Sequence, residues 1–150
     1  MFSTKDENFI GVIWDFEQPD QEVSNRSFYT KPVPAHSAAP VKLQITHLTP
    51  RGRYRLEVYR TGYHANDAYT AYLEMGSPNH LTPEQTAKLN DVSRDLPETY
   101  RTVDCRKDGT AEIEIPMNSN DIVLVKLVRI RSTSPHLSDK GKGEIRSISE

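Results

Sequence analysis

Between residues 41 and 60 the chain alternates twice. VKLQITHL (41–48) sets Val41, Leu43, Ile45 and His47 on one side, and RYRLEVYR (53–60) sets Tyr54, Leu56, Val58 and Arg60 on one face. A period of two is the signature of a strand with one buried face. TPRG (49–52) lies between them with Pro50 and Gly52, so the two runs predict a β-hairpin joined by a four-residue turn. NFIGVIWDF (8–16) and IVLVKLVRI (122–130) are nearly continuous in β-formers and predict buried strands, with Trp14 in the core. TAEIEIPM (110–117) alternates again, with Ile113 and Ile115 on one face and Glu112 and Glu114 on the other. TYRTVDCRK (99–107) is a further candidate strand, and DG (108–109) and NSND (118–121) are turns. EQPDQEVSN (17–25) reads as loop. SFYTKPVPAHSAAP (27–40) holds three prolines, so it is extended and excluded from a central strand.

The period changes in TGYHANDAYTAYLEMGSP (61–78). Ala68, Ala71, Tyr72 and Met75 fall on one helical face. Asn66 or Asp67 can cap the helix, since a short side-chain oxygen accepts the orphan amides of the first turn. Gly76 ends it and Pro78 prevents its resumption. Thr82, Pro83 and Gln85 then spell a capping box with proline at the first helical position. This second helix is expected to run to about Val92, anchored by Leu89 and Val92. Strands joined by turns, with one two-helix insertion at about 64–95, predict a mostly β protein, an antiparallel β-sandwich over 1–130. The polar, Gly- and Ser-bearing 131–150 is expected to be a disordered tail.

The chain has 150 residues and a net charge of −2, which suits one domain and offers no basis for nucleic-acid binding. Its mean hydropathy of −0.67 is low for a self-sufficient globule, so a modest core or a part of something larger is expected. A single cysteine, Cys105, excludes an internal disulfide framework. The apolar runs are too short to span a bilayer, and the start lacks the apolar stretch of a signal peptide. A soluble protein follows, cytoplasmic by default. Five scattered histidines give no metal spacing, and no Gly-rich loop resembles a phosphate cradle. No cofactor is indicated. Glu112 and Glu114 read as a solvated face and Cys105 as packing, so no nucleophile with its base stands out. The remaining candidate site is the 61–78 excursion: His64, Asn66, Asp67, Tyr69, Tyr72 and Met75. Tyrosines there suit a partner surface or a sugar-binding cleft, because the ring buries well while the hydroxyl still needs a partner.

GRYRLEVYRTGYHANDAYTAYLEMGSPNHLTPEQTAKLNDVS (52–93) resembles the C-terminal β-sandwich of glycoside hydrolase family 39, the β-xylosidase and α-iduronidase family. The matching positions are Gly52, Tyr54, His64, Asn66, Tyr69, Met75 to Pro78, Thr82, Pro83 and Gln85. GVIWDF resembles the strand that follows the family's barrel, and IEIPMNSNDIVLVKL its closing strands. Ala65 stands where many relatives carry Ser, and Tyr72 where Trp is expected. The resemblance implies retaining hydrolysis by two glutamates on a (β/α)8 barrel. A barrel needs about 250 residues, so no catalytic residue carries over to this chain. What carries over is an accessory sandwich, with the barrel as its partner and a xylo-oligosaccharide as a candidate ligand. On this reading the excursion is a docking device: its tyrosines and Met75 bury against the barrel, and His64 and Asn66 lie near the junction. A missing strand and an exposed sheet edge are also expected.

Overall fold

A computed structural model describes residues 2–5, 8–17 and 30–131. The expected tail at 132–150 and most of the loop at 17–25 lie outside the described residues. In chain order the elements are β1 (Phe2–Lys5), β2 (Asn8–Trp14), β3 (Ser37–Ile45), β4 (Arg53–Thr61), α1 (Ala68–Glu74), α2 (Pro83–Val92), β5 (Thr99–Asp104), β6 (Ala111–Asn118) and β7 (Ile122–Ile130). The strands form two sheets, one of five in the order β1-β2-β7-β4-β5 and one of two, β3-β6. Every pairing is antiparallel. The fold is the mostly β sandwich expected, with the two helices inserted between β4 and β5.

The inner faces supply the core. Tyr54, Leu56 and Val58 of β4, Val123, Val125 and Leu127 of β7, and Ile113, Ile115 and Met117 of β6 are all buried. Each set is spaced by two, as pleating requires. Opposite them on β6, Glu112 and Glu114 face solvent beside Arg106 and Lys42, so they are the solvated face their alternation suggests.

The hairpin expected from 41–60 does not form. β3 pairs with β6 and β4 pairs with β5 and β7, so residues 46–52 carry the chain from one sheet to the other. Alternation states which face of a strand is buried and is silent about its neighbour. The corner has its own chemistry. The Tyr54 hydroxyl accepts the Thr49 amide at 2.9 Å, and Leu48 donates to the Gly109 carbonyl at 3.0 Å. His47 leaves the strand pattern altogether: β3 stops at Ile45, and His47 is exposed in the left-handed region at φ 62°. Pro40 sits inside β3 at a register shift between Ala38 and Val41, a position where a missing amide is tolerated.

Trp14 is a second correction. It closes β2 but is 62% exposed, and Phe16 just beyond it is 74% exposed. β1 was not evident from the sequence, because FSTK offers no apolar alternation; it pairs only with β2 at the sheet edge.

Candidate functional site

The 61–78 excursion begins where β4 leaves its sheet. Gly62 and Ala65 exchange backbone hydrogen bonds at 2.9 Å and fold Tyr63 and His64 into a tight turn. His64 takes φ 58° and Asn66 φ 53°, conformations that non-glycine residues adopt sparingly and Asn and His more readily than most. The space beside Gly62 is filled by the Asp121 carboxylate, so no side chain fits there.

Each candidate residue has a defined place. Asp67 is the cap: its Oδ1 accepts the Thr70 amide at 2.9 Å. Asn66 does something else. Its side chain donates to Asp95 Oδ1 at 3.3 Å, and its Oδ1 accepts the Asp95 amide at 3.2 Å. Asp95 is itself left-handed at φ 49°. The pair latches the turn before α1 to the turn after α2. His64 Nε2 lies 3.0 Å from Glu74 Oε1, and its ring meets Tyr63 edge-on at 4.2 Å. Tyr72 donates its hydroxyl to the Pro78 carbonyl at 3.3 Å, and Met75 is the C-cap, so both lie half-buried within the insertion. Tyr69 is the aromatic ring of α1 turned outward, 49% exposed. At α2 both halves of the expected capping box are present, Thr82 with Gln85.

Asn66, Asp67 and Tyr69 share a groove of about 470 Å³. His64, Tyr72 and Met75 do not line it. Its other wall is the proline-rich Lys31–Ala35 stretch, and Ser119, Asn120 and Ile122 close its end. Sequence reading missed that wall, although K-P-V-P-A is stiff and extended, a natural rim for a groove.

The β4 end is fixed by charge. Arg60, 10% exposed, donates to both oxygens of Glu98 at 2.8 and 2.9 Å, to the Pro116 carbonyl at 2.8 Å and to the nearly buried Asp121. Asp121 Oδ2 also accepts the Asn118 amide at 2.8 Å. The Glu98 hydrogen bonds raise the Arg60 guanidinium above its ordinary value, outweighing burial.

Ser119, His36 and Glu17 form a chain of contacts at the same end, Ser119 Oγ to His36 Nδ1 at 3.2 Å and His36 Nε2 to Glu17 at 3.1 Å. The order is that of a hydrolytic triad, but Ser119 is committed to backbone contacts. Ser119 is 4% exposed, its Oγ also accepts the His36 amide, and its own amide donates to the His36 carbonyl. The set is a two-way pin between the start of β3 and the β6–β7 turn. Burial pushes the Cys105 thiol up, so it stays a thiol in the core. Among the described residues no group of three or more His, Cys, Asp or Glu side chains could hold a metal ion, and no helix is long and apolar enough to cross a membrane.

This two-sheet antiparallel sandwich, broken after β4 by a doubly capped helix pair, matches one region of glycoside hydrolase family 39 enzymes, consistent with a C-terminal domain of that family. No protein-family model and no curated protein matches it. Among solved structures, the GH39 enzyme from Xanthomonas axonopodis pv. citri is 43% identical with a TM-score of 0.80, over 86% of this chain and 25% of that one. A monomeric β-xylosidase from Caulobacter crescentus CB15 is 42% identical with a TM-score of 0.77, over 84% and 25%. A bacterial orthologue of human α-L-iduronidase shares the fold alone, at 18% identity and a TM-score of 0.52. The chain therefore spans a quarter of the length of the GH39 enzymes it matches at 42–43% identity.

Proposed function

We propose that this chain is the non-catalytic accessory sandwich of a β-xylosidase-like enzyme, seated against a (β/α)8 catalytic barrel. The observation that carries the reading is the lopsided coverage: 86% of this chain accounts for 25% of the Xanthomonas enzyme, so most of such an enzyme lies elsewhere. The site agrees with it. The groove brings Asn66, Asp67 and Tyr69 together against the proline-rich Lys31–Ala35 stretch. The latch, the caps and the left-handed turns hold α1 rigidly while leaving Tyr69 outward, which is what a docking element requires.

The test is hydrolysis of an aryl β-xyloside by the purified chain, alone and then co-produced with the barrel portion of the Caulobacter β-xylosidase. No turnover is expected alone, and co-purification is expected with the barrel. Turnover by the chain alone, abolished by a single carboxylate substitution, would overturn the reading.

A second reading, a free-standing carbohydrate- or protein-binding module, is favoured by the exposed Trp14, Tyr69 and Tyr100, since flat exposed rings are sugar platforms. Titration with xylo-oligosaccharides while following Trp14 emission tests it.

A further inference from the structure

The two sheets differ on their outward faces. The outer face of the β3-β6 sheet carries Lys42, Gln44, Glu112 and Glu114, the polar cladding expected of a solvated face. The outer face of the five-stranded sheet does not. Register sets Trp14 opposite Ile122, Val12 opposite Leu124 and Ile10 opposite Lys126, and residues directly opposite share a face. On β7 the inner residues are Val123, Val125 and Leu127, so Ile122, Leu124 and Val128 point outward. Both faces of β2 and β7 thus carry the apolar composition of strands covered on two sides. Among the described residues the outer side is only partly covered: Val12, Leu124 and Val128 are half-buried, while Ile10, Trp14 and Ile122 are 47%, 62% and 53% exposed.

The β4 and β5 half of the same face is polar. Glu57 accepts hydrogen bonds from Arg55 at 2.6 Å and from Tyr59 at 2.9 Å, Lys126 lies 4.3 Å above the Tyr59 ring, and Arg55 lies 5.7 Å from the Tyr100 ring centre. An apolar centre beside a rim of tyrosine, arginine and satisfied charge is the anatomy of a protein interface, with tryptophan its usual anchor.

We propose that this outer face, centred on Trp14 and Ile122, is the main seat of the catalytic portion, with the α1 groove as its margin. The inference rests on the accessory-domain reading. Two observations favour that occupant. Ile122 belongs both to the Trp14 row and to the groove lining, so the face and the groove are one continuous surface. The GH39 enzymes at 42–43% identity devote three-quarters of their chain to structure outside the matched region, enough to cover it.

The test co-produces the Caulobacter barrel portion with the wild-type chain, with a Trp14→Lys, Ile122→Lys double variant, and with Tyr69→Ala. The substituted side chains are exposed, so circular dichroism is expected to be unchanged. Trp14 is the chain's one tryptophan, so its emission reports this face directly. The expected result is a blue shift and reduced acrylamide quenching on complex formation, affinity lowered by about tenfold or more in the double variant, and a smaller loss in Tyr69→Ala. Unchanged affinity in the double variant, or unshifted Trp14 emission in the complex, overturns the proposal while leaving the accessory reading standing. Absence of any complex with a folded barrel removes both. A blue shift produced instead by xylo-oligosaccharide assigns the face to sugar and also overturns it. If the barrel portion does not fold alone, binding of the apolar dye ANS decides: enhancement by the wild type and loss in the double variant support the open face, and equal binding refutes it.

Discussion

Arg60 stands at an inner position of β4, in register with Val123, where a charge is ordinarily excluded. It is tolerated because all three guanidinium nitrogens donate, to Glu98, Pro116 and Asp121. Removing one member of such a set leaves the rest stranded. Arg60→Leu is expected to destabilise the fold by about 3–5 kcal/mol, because Asp121 becomes an uncompensated buried charge; urea unfolding measures it. Glu57 gives a different prediction. Burial pushes its carboxyl up, but hydrogen bonds from Tyr59 and Arg55 outweigh burial and hold it below its ordinary 4.5. A depressed folded-state value means that the stabilisation is fully present above the unfolded-state value and is lost as pH falls through the folded one. Stability is therefore expected to decline below about pH 4.5, and Glu57→Gln to flatten that decline. Thermal melts between pH 3 and 6 check it. Arg60 shows how much a pattern conveys: alternation placed it on the inner face correctly, while its partners, 38 to 61 residues away, left no local trace.

At the level of elements, the helices were the most legible. Caps are local chemistry: Asp67 bonds Thr70, Gly76 bonds Leu73, and Thr82 and Gln85 bond each other, each pair three residues apart. The link between the helices was not legible, because Asn66 and Asp95 are 29 residues apart and meet only once both turns adopt left-handed geometry. Asn66→Ala is expected to loosen the insertion alone. Amide exchange should quicken across α1 and α2 while the amides of β4 and β7 keep their protection, since local opening need not reach the sandwich. Equal loss of protection in β7 would contradict the latch. The strands were legible one by one and their neighbours were not. VKLQI and RYRLEVYR read as partners because they are adjacent in sequence, yet Leu43 and Ile45 face Ile113 and Ala111. The Tyr54 hydroxyl, spent on Thr49, marks the corner that separates them.

For the molecule as a whole, the same ambiguity explains Trp14. A continuous apolar run predicts burial on both sides, and β2 satisfies it on one. Among the described strands β3 and β6 pair only with each other, so each has one side without a strand partner. The groove was half legible: its α1 side was expected, but its other wall comes from a proline-rich stretch whose sequence speaks of stiffness and not of what it leans on.

The strand order carries one last consequence. β7, the last of the described strands in chain order, lies between β2 and β4. On the ribosome, β1 with β2 and β4 with β5 emerge as separate ribbons with no shared centre. Nothing can knit them until Ile122–Ile130 has left the exit tunnel. Assembly of the five-stranded sheet thus waits for β7, and its rate is set by closing long loops. A chain cut before Ile122 is expected to leave the β1–β2 and β4–β5 pairs unjoined, each too small to persist alone.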